Sequence, residues 1–163
     1  MHEPSTLPVM VIDDEPHLRI TASQTLELAG YTPHCFESAE QALAALPNDF
    51  PGVIVSDIRM PGMDGMALLH ELHSRDATLP IILITGHGDI STAVEAMRAG
   101  AWDFLEKPFA GDQLLDVVRR GIEKRQLSLE NLRLKAELEV QQAALGPRLV
   151  GRTPVISRLA AMI

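Results

Sequence analysis

Short, continuous apolar runs recur along residues 9–109, and between them the apolar positions spread to helical spacing. Val9-Met10-Val11-Ile12 is one such run, short and unbroken as a buried strand would be. Residues 16–29 follow with Leu18, Thr21, Ala22, Thr25, Leu26 and Ala29 on one helical face. Pro16 suits the first helical turn, where its missing N–H does no harm, and Gly30 suits the stop. Residues 32–36 form a weaker strand candidate. Ser38-Ala39-Glu40-Gln41 has the spacing of a capping box and opens a helix to Leu46. Val53-Ile54-Val55 predicts a strand, followed by a Pro/Gly-rich loop and a helix over about 66–74. Ile81-Ile82-Leu83-Ile84 is the clearest strand, Asp89 can cap a helix to about Ala99, and Gly100 ends it. Phe104 and Leu105 mark a fifth strand.

Five strand–helix repeats predict an α/β doubly wound parallel sheet with helical crossovers. The runs 53–55 and 81–84 are apolar throughout, as strands are when helices cover both sheet faces. Sheets of this kind carry their functional residues at the carboxyl ends of the strands.

The pattern continues past the fifth repeat. From residue 112 to about 144 there is no proline and a single glycine, Gly121. A helix of about 33 residues would reach roughly 50 Å, too long to pack wholly on so small a domain. Leu127, Asn131, Leu134, Leu138 and Leu145 follow a 3–4 spacing, and Leu115, Ile122 and Leu129 form a second seven-residue series. These predict a short coiled coil with Asn131 as a polar seam position; a lone charged linker helix is the plainer alternative. Gly146-Pro147 breaks the helix, and residues 148–163 are too few to fold alone. The expected organisation is a domain over 1–125, a linker helix over 126–146 and the truncated start of a further domain over 147–163.

Composition narrows the picture. Apolar residues make up 46% but aromatics only 4%, so the core must be mainly aliphatic. A net charge of -8, from 22 acidic and 14 basic residues, argues against a nucleic-acid-binding surface on this chain. The single cysteine, Cys35, allows no internal disulfide and is expected to be a small buried residue on a strand. No apolar run approaches the roughly 20 residues that span a membrane. Residues 1–8 lack the parts of a signal peptide, so no membrane contact and a cytoplasmic address are expected.

The candidate chemistry lies at the strand ends. Asp13 and Asp14 follow the first strand, Asp57 the third, Thr85 the fourth and Lys107 the fifth. Three carboxylates brought together repel and need a cation and an ammonium group beside them. Mg²⁺ takes oxygen ligands and keeps several waters. Lys107 can neutralise phosphate as a compact point charge, Thr85 offers a hydroxyl, and Asp57 is a candidate nucleophile for an aspartyl phosphate.

Val-Ile-Asp13-Asp14-Glu15, Ser-Asp57-Ile-Arg-Met-Pro61-Gly62-Met-Asp-Gly65, Ile-Thr85-Gly86 and Lys107-Pro108-Phe109 resemble, together and in order, the signature set of response-regulator receiver domains over about residues 8–125. The resemblance implies a flavodoxin-like (βα)5 fold of strand order 2-1-3-4-5. It implies Mg²⁺ held by Asp14, Asp57 and the backbone carbonyl of Arg59, with Asp13 acting largely through water. It further implies Asp57 as phosphoacceptor from a sensor histidine kinase, Thr85 and Lys107 as phosphate contacts, a cis Lys107–Pro108 peptide, and Phe104 at the switch-aromatic position beside Thr85. The stretches from Thr85 to Asp89 and from Gly100 to Phe109, with the long helix after them, resemble more narrowly the NtrC group of sigma-54-dependent activators and, within it, the C4-dicarboxylate transport regulators. Residues 149–159 resemble the opening of that group's AAA+ ATPase domain, but no phosphate-binding loop follows. The longer protein so implied would be a homodimer meeting sigma-54 RNA polymerase and DNA through domains this chain lacks.

Plainer and competing readings accompany these. Phe104 could be simple core packing; Trp102 and Tyr31 are expected to be half-buried structural aromatics. His70 and His73 are one helical turn apart, but with no third ligand they read as surface residues. His87 sits just past Thr85 on a loop able to move. An aspartyl-phosphate phosphatase or hydrolase would carry a second acid two positions after the nucleophile, where this chain has Arg59. A degenerate receiver serving only for dimerisation would not need the intact acidic set.

Overall fold

The computed structural model describes residues 7–145, and the chain divides into two compact units, 1–127 and 128–163. In the first unit, β1 (Pro8–Ile12), β2 (Thr32–Phe36), β3 (Val53–Asp57), β4 (Ile81–Thr85) and β5 (Asp103–Glu106) form one parallel sheet in the order β2-β1-β3-β4-β5. The helices α1 (Pro16–Leu28), α2 (Ala39–Ala45), α3 (Gly65–Arg75), α4 (Ile90–Arg98) and α5 (Gly111–Leu145) complete the expected flavodoxin-like architecture.

Strand alternation sorts the core into two layers. Met10, Ile12, Ile54, Ile81 and Leu83 face α2, α3 and α4, where Ala42, Leu68, Leu69, Leu72 and Ala96 close the layer. Val9, Val11, Val53, Val55, Ile82 and Ile84 face the other way, onto Leu26 of α1 and Leu114, Val118 and Ile122 of α5. Local signals open the helices. Ser38 accepts the Gln41 N–H at 3.1 Å, while the Gln41 side chain reaches back to the Glu37 N–H at 3.3 Å. Asp64 accepts the Ala67 N–H at 2.9 Å at the start of α3.

Three expectations need correction. Cys35 is exposed, because β2 is an edge strand and, among the described residues, its outer side has no neighbour in the sheet. Thr21 and Ala29 are also exposed; α1 buries a narrower stripe centred on Leu26, with Leu18, Ala22 and Thr25 half-covered. The series Leu115, Ile122, Leu129 does not form a second seam: Ile122 is buried in the domain core and Leu115 packs against it. The first part of α5 spends that face on the sheet. Tyr31 and Trp102 are half-buried as expected, and His70 and His73 are exposed.

In the second unit, the α5 residues 128–142 place Leu132, Leu134, Leu138 and Val140 in solvent, with Asn131 also exposed. The expected break at 146–147 and the expected ATPase start over 147–163 lie outside the described residues. Among the described residues, no helix is long and apolar enough to cross a membrane.

Candidate functional site: an acidic cluster at the carboxyl edge of the sheet

Parallel strands end their carbonyls and last side chains along one edge, and the site is built there. Asp57 is the last residue of β3; its Oδ1 accepts the Arg59 N–H at 3.2 Å and its Oδ2 accepts from Lys107 Nζ at 3.0 Å. Asp13 directly follows β1, with Oδ1 held by the Glu15 N–H at 2.9 Å. Its Oδ2 is buried and meets no hydrogen-bond donor. Asp14, next along, is exposed, and carboxylate oxygens of Asp13, Asp14 and Asp57 lie within 4.8 Å of one another. Gly65 lets α3 start hard against the loop after Asp57: a Cβ there would meet the Asp57 carbonyl oxygen and the Ile58 Cα, each at 2.6 Å.

This edge carries an electrostatic deficit. Burial raises the Asp13 pKa to about 6; the negative charges of Asp57 and Asp14 add to the rise, while the Glu15 N–H and the Lys107 ammonium oppose it. Three carboxyl groups share one ammonium. An orphaned buried carboxylate oxygen beside two further carboxylates is a donor set that fits a hard, oxygen-seeking dication.

Thr85 ends β4, as expected, and is buried, with its hydroxyl turned to the Leu105 carbonyl on β5 at 3.4 Å. Lys107 follows β5 through a backbone bond to the Thr85 carbonyl, and the Lys107–Pro108 peptide is cis. Phe104 is 38% exposed, which overturns simple core packing. Its register partner Leu83 faces α4, and α4 presents only alanines to the core, so the edge strand's aromatic is left partly in water. His87 pairs with Glu106, Nδ1 to Oε2 3.6 Å, and the same carboxylate takes the Gly88 N–H.

Sequence reasoning missed three arginines. Arg19 donates to the Asp13 carbonyl at 2.6 Å, supporting the acidic loop from α1. Arg59, considered only for its carbonyl, pairs with Asp89 at 3.1 Å. Arg125, fully buried at the opposite edge, donates at 2.8 Å each to the Phe50 carbonyl, the Thr78 hydroxyl and Asp76. Its signal was legible in principle: it continues the helical stripe Leu114, Val118, Ile122 with a charge where an apolar residue belongs.

The profile of the response regulator receiver domain matches residues 9–119. The chain belongs to that family. It is 56% identical over 151 residues to the C4-dicarboxylate transport transcriptional regulatory protein DctD of Pseudomonas aeruginosa, a match covering 93% of this chain and 32% of that protein. The DctD of Rhizobium meliloti is 52% identical over the same share of each chain. Among solved structures, the response regulator StyR superposes with a TM-score of 0.81 at 33% identity, covering 88% of this chain and 73% of that one. This chain is thus a receiver domain of the DctD and NtrC type, spanning about a third of the length of the DctD regulators it matches.

Proposed function

We propose that Asp57 accepts a phosphoryl group from the phosphohistidine of a sensor histidine kinase, in a Mg²⁺-dependent step, and that the domain uses this charge to control an attached sigma-54-activating AAA+ ATPase. The observation that carries the reading is the Asp57 carboxylate itself: held by Lys107 on one oxygen and by the Arg59 N–H on the other, with two more carboxylates within 4.8 Å. A carboxylate oxygen of Asp57 attacks phosphorus, the P–N bond breaks, and the departing imidazole keeps the electron pair and regains its proton from solvent. Asp14, Asp57 and the Arg59 carbonyl would hold Mg²⁺, with Asp13 acting largely through water. When bound, the ion would offset the negative charge that the carboxylates and the phosphoryl group bring together. Lys107 stabilises the transferred group as a point charge.

Thr85 and Phe104 form the switch. The Thr85 hydroxyl can leave the long 3.4 Å contact with Leu105 for a phosphoryl oxygen, a stronger, charge-assisted acceptor. That motion passes to the Gly86–Gly88 loop, α4 and the β5–α5 face. Residues 126–146 would pair as a coiled coil in a homodimer through the exposed Leu127, Leu134 and Leu138, and the unphosphorylated dimer would restrain the ATPase. A cytoplasmic protein is the setting this reading requires.

Intact mass after treatment with acetyl phosphate and Mg²⁺ tests it. The chain should gain one phosphoryl group, Asp57→Asn should gain none, and EDTA should abolish the gain. Labelling of Asp57→Asn would remove the assignment. The same mass series, followed by phosphate release, separates a receiver from a phosphatase, whose turnover needs an acid where Arg59 stands.

A further inference from the structure

Arg59 and Asp89 tie together two segments, the loop after Asp57 and the start of α4. Arg59 Nη2 lies 3.1 Å from Asp89 Oδ2, while the other Asp89 oxygen takes the Thr92 hydroxyl at 2.6 Å. One end of the Asp89 carboxylate is therefore on the acceptor loop and the other in the first turn of α4. Both contacts hold the Asp89 carboxyl below the ordinary aspartate range, the Thr92 hydroxyl foremost and the Arg59 guanidinium after it.

Little buried apolar surface fixes this helix. Only Ala93 and Ala96 of α4 are buried, whereas α3 sinks Leu68, Leu69 and Leu72 into the same layer. Ile90 is 70% exposed, and Val94 and Met97 are also largely in solvent. The helix is entered through Gly86 and Gly88, the latter at φ 81, in a loop held to β5 by the contacts of Gly88 and His87 with Glu106. An element with so little buried apolar surface opens locally at low cost, so one ion pair is a sizeable share of what positions its start.

We propose that Arg59 is an exchangeable strap: it holds α4 through Asp89 in the unmodified chain, and moves to the phosphoryl oxygens once Asp57 is phosphorylated, releasing the start of α4. This rests on Asp57 being the acceptor. The Arg59 N–H already bonds Asp57 Oδ1 at 3.2 Å, so the backbone of Arg59 lies beside the reacting carboxylate and the exchange needs side-chain torsions only. A phosphoryl group adds a charge of about -1.5 to -2, and its oxygens match a guanidinium fork. The competing pair is weak, because the Arg59 side chain is mostly in solvent, where screening and side-chain entropy erode an ion pair.

Amide hydrogen exchange over residues 93–98 of the full chain reads the strap. In the unmodified chain, Arg59→Gln and Asp89→Asn should each speed exchange roughly 2- to 5-fold, the scale of one partly exposed ion pair. The double variant should be no faster than the faster single one, and Arg59→Lys should recover part of the protection. Phosphorylated wild type should exchange like unmodified Arg59→Gln, and phosphorylating Arg59→Gln should add little. Single variants that exchange like wild type would show there is no strap. Phosphorylation that speeds Arg59→Gln as much as wild type would show that release does not pass through Arg59. A chain that gains no phosphoryl mass would overturn the acceptor reading and the release with it, while the unmodified variants still decide whether the strap exists.

Discussion

The two ends of the sheet bury charge in opposite ways. At the carboxyl edge, Asp13 is 2% exposed with one carboxylate oxygen lacking any donor, among like charges that push its pKa to about 6. At the amino edge, Arg125 is wholly buried, yet three separate acceptors meet its guanidinium at 2.8 Å. One of them is Asp76, whose burial would raise its pKa; the Arg125 and Thr78 hydrogen bonds outweigh that and hold it below the ordinary value. Arg125 joins α5 to the segments that precede β3 and β4. Its bonds are closed, so it stabilises and offers nothing to a ligand. The acidic edge is left unsatisfied and costs stability until something cationic completes it. Buried charge is informative about function chiefly where its partners are missing.

The contrast can be broken from either end. Arg125→Ala should have the largest effect, a loss of about 3 to 5 kcal/mol in urea unfolding, because it takes the guanidinium from Asp76, the Thr78 hydroxyl and the Phe50 carbonyl together. Phosphoryl uptake by the fraction that remains folded should be unaffected.

Asp13→Asn should move stability the other way. A carboxyl whose folded pKa is raised contributes full stability below its unfolded value and loses it as pH rises through the folded value, here from near 4 to about 6. Without divalent metal at pH 7.5, Asp13→Asn should therefore be more stable than wild type. A gain of about 2 kcal/mol is expected, less than the shift alone corresponds to because the amide is itself a buried polar group. Melting temperatures at pH 7.5 and pH 4 check this: the advantage should vanish at pH 4. Saturating Mg²⁺ should narrow the advantage at pH 7.5, since the carboxylate form binds the ion more tightly than the amide.

The amino edge has the mirror-image signature. The depressed Asp76 pKa gives stability that is present above about pH 4 and lost as pH falls through the folded value. Arg125→Met should flatten that acid limb while leaving the loss between pH 4 and 6 intact, as thermal melts across pH would show. Smallest of all, Arg133→Ala removes two exposed pairs, with Glu130 and Glu137, and should leave the melting temperature nearly unchanged.

Much of this was legible in the chain, for identifiable reasons. The unbroken runs at 53–55 and 81–84 announced strands covered on both faces, because nothing polar interrupts them. Asp13, Asp57, Thr85 and Lys107 stood at strand ends in the sequence, and a parallel sheet has no other place to put strand ends than one edge. The long α5 was visible as a stretch without proline, since proline is what would have broken it.

What local pattern left open was settled by neighbours far along the chain. Cys35 looks buried between His34 and Phe36, but exposure depends on whether another strand lies outside β2, and among the described residues none does. Leu115, Ile122 and Leu129 have the same spacing as the exposed leucines after them; only the sheet beneath α5 decides which series is core. Arg125 reads as one more charge on a charged helix until Phe50, Asp76 and Thr78, 47 to 75 residues away, converge on it. Arg59 and Asp89 lie 30 residues apart, and nothing in either segment announces the other. Periodicity and strand-end position are local consequences of backbone geometry, so the sequence alone determined the elements, the sheet and the acidic edge. Which charges are satisfied, and by which partners, depends on distances between segments that meet only when the chain is folded, and the tertiary structure alone decided that.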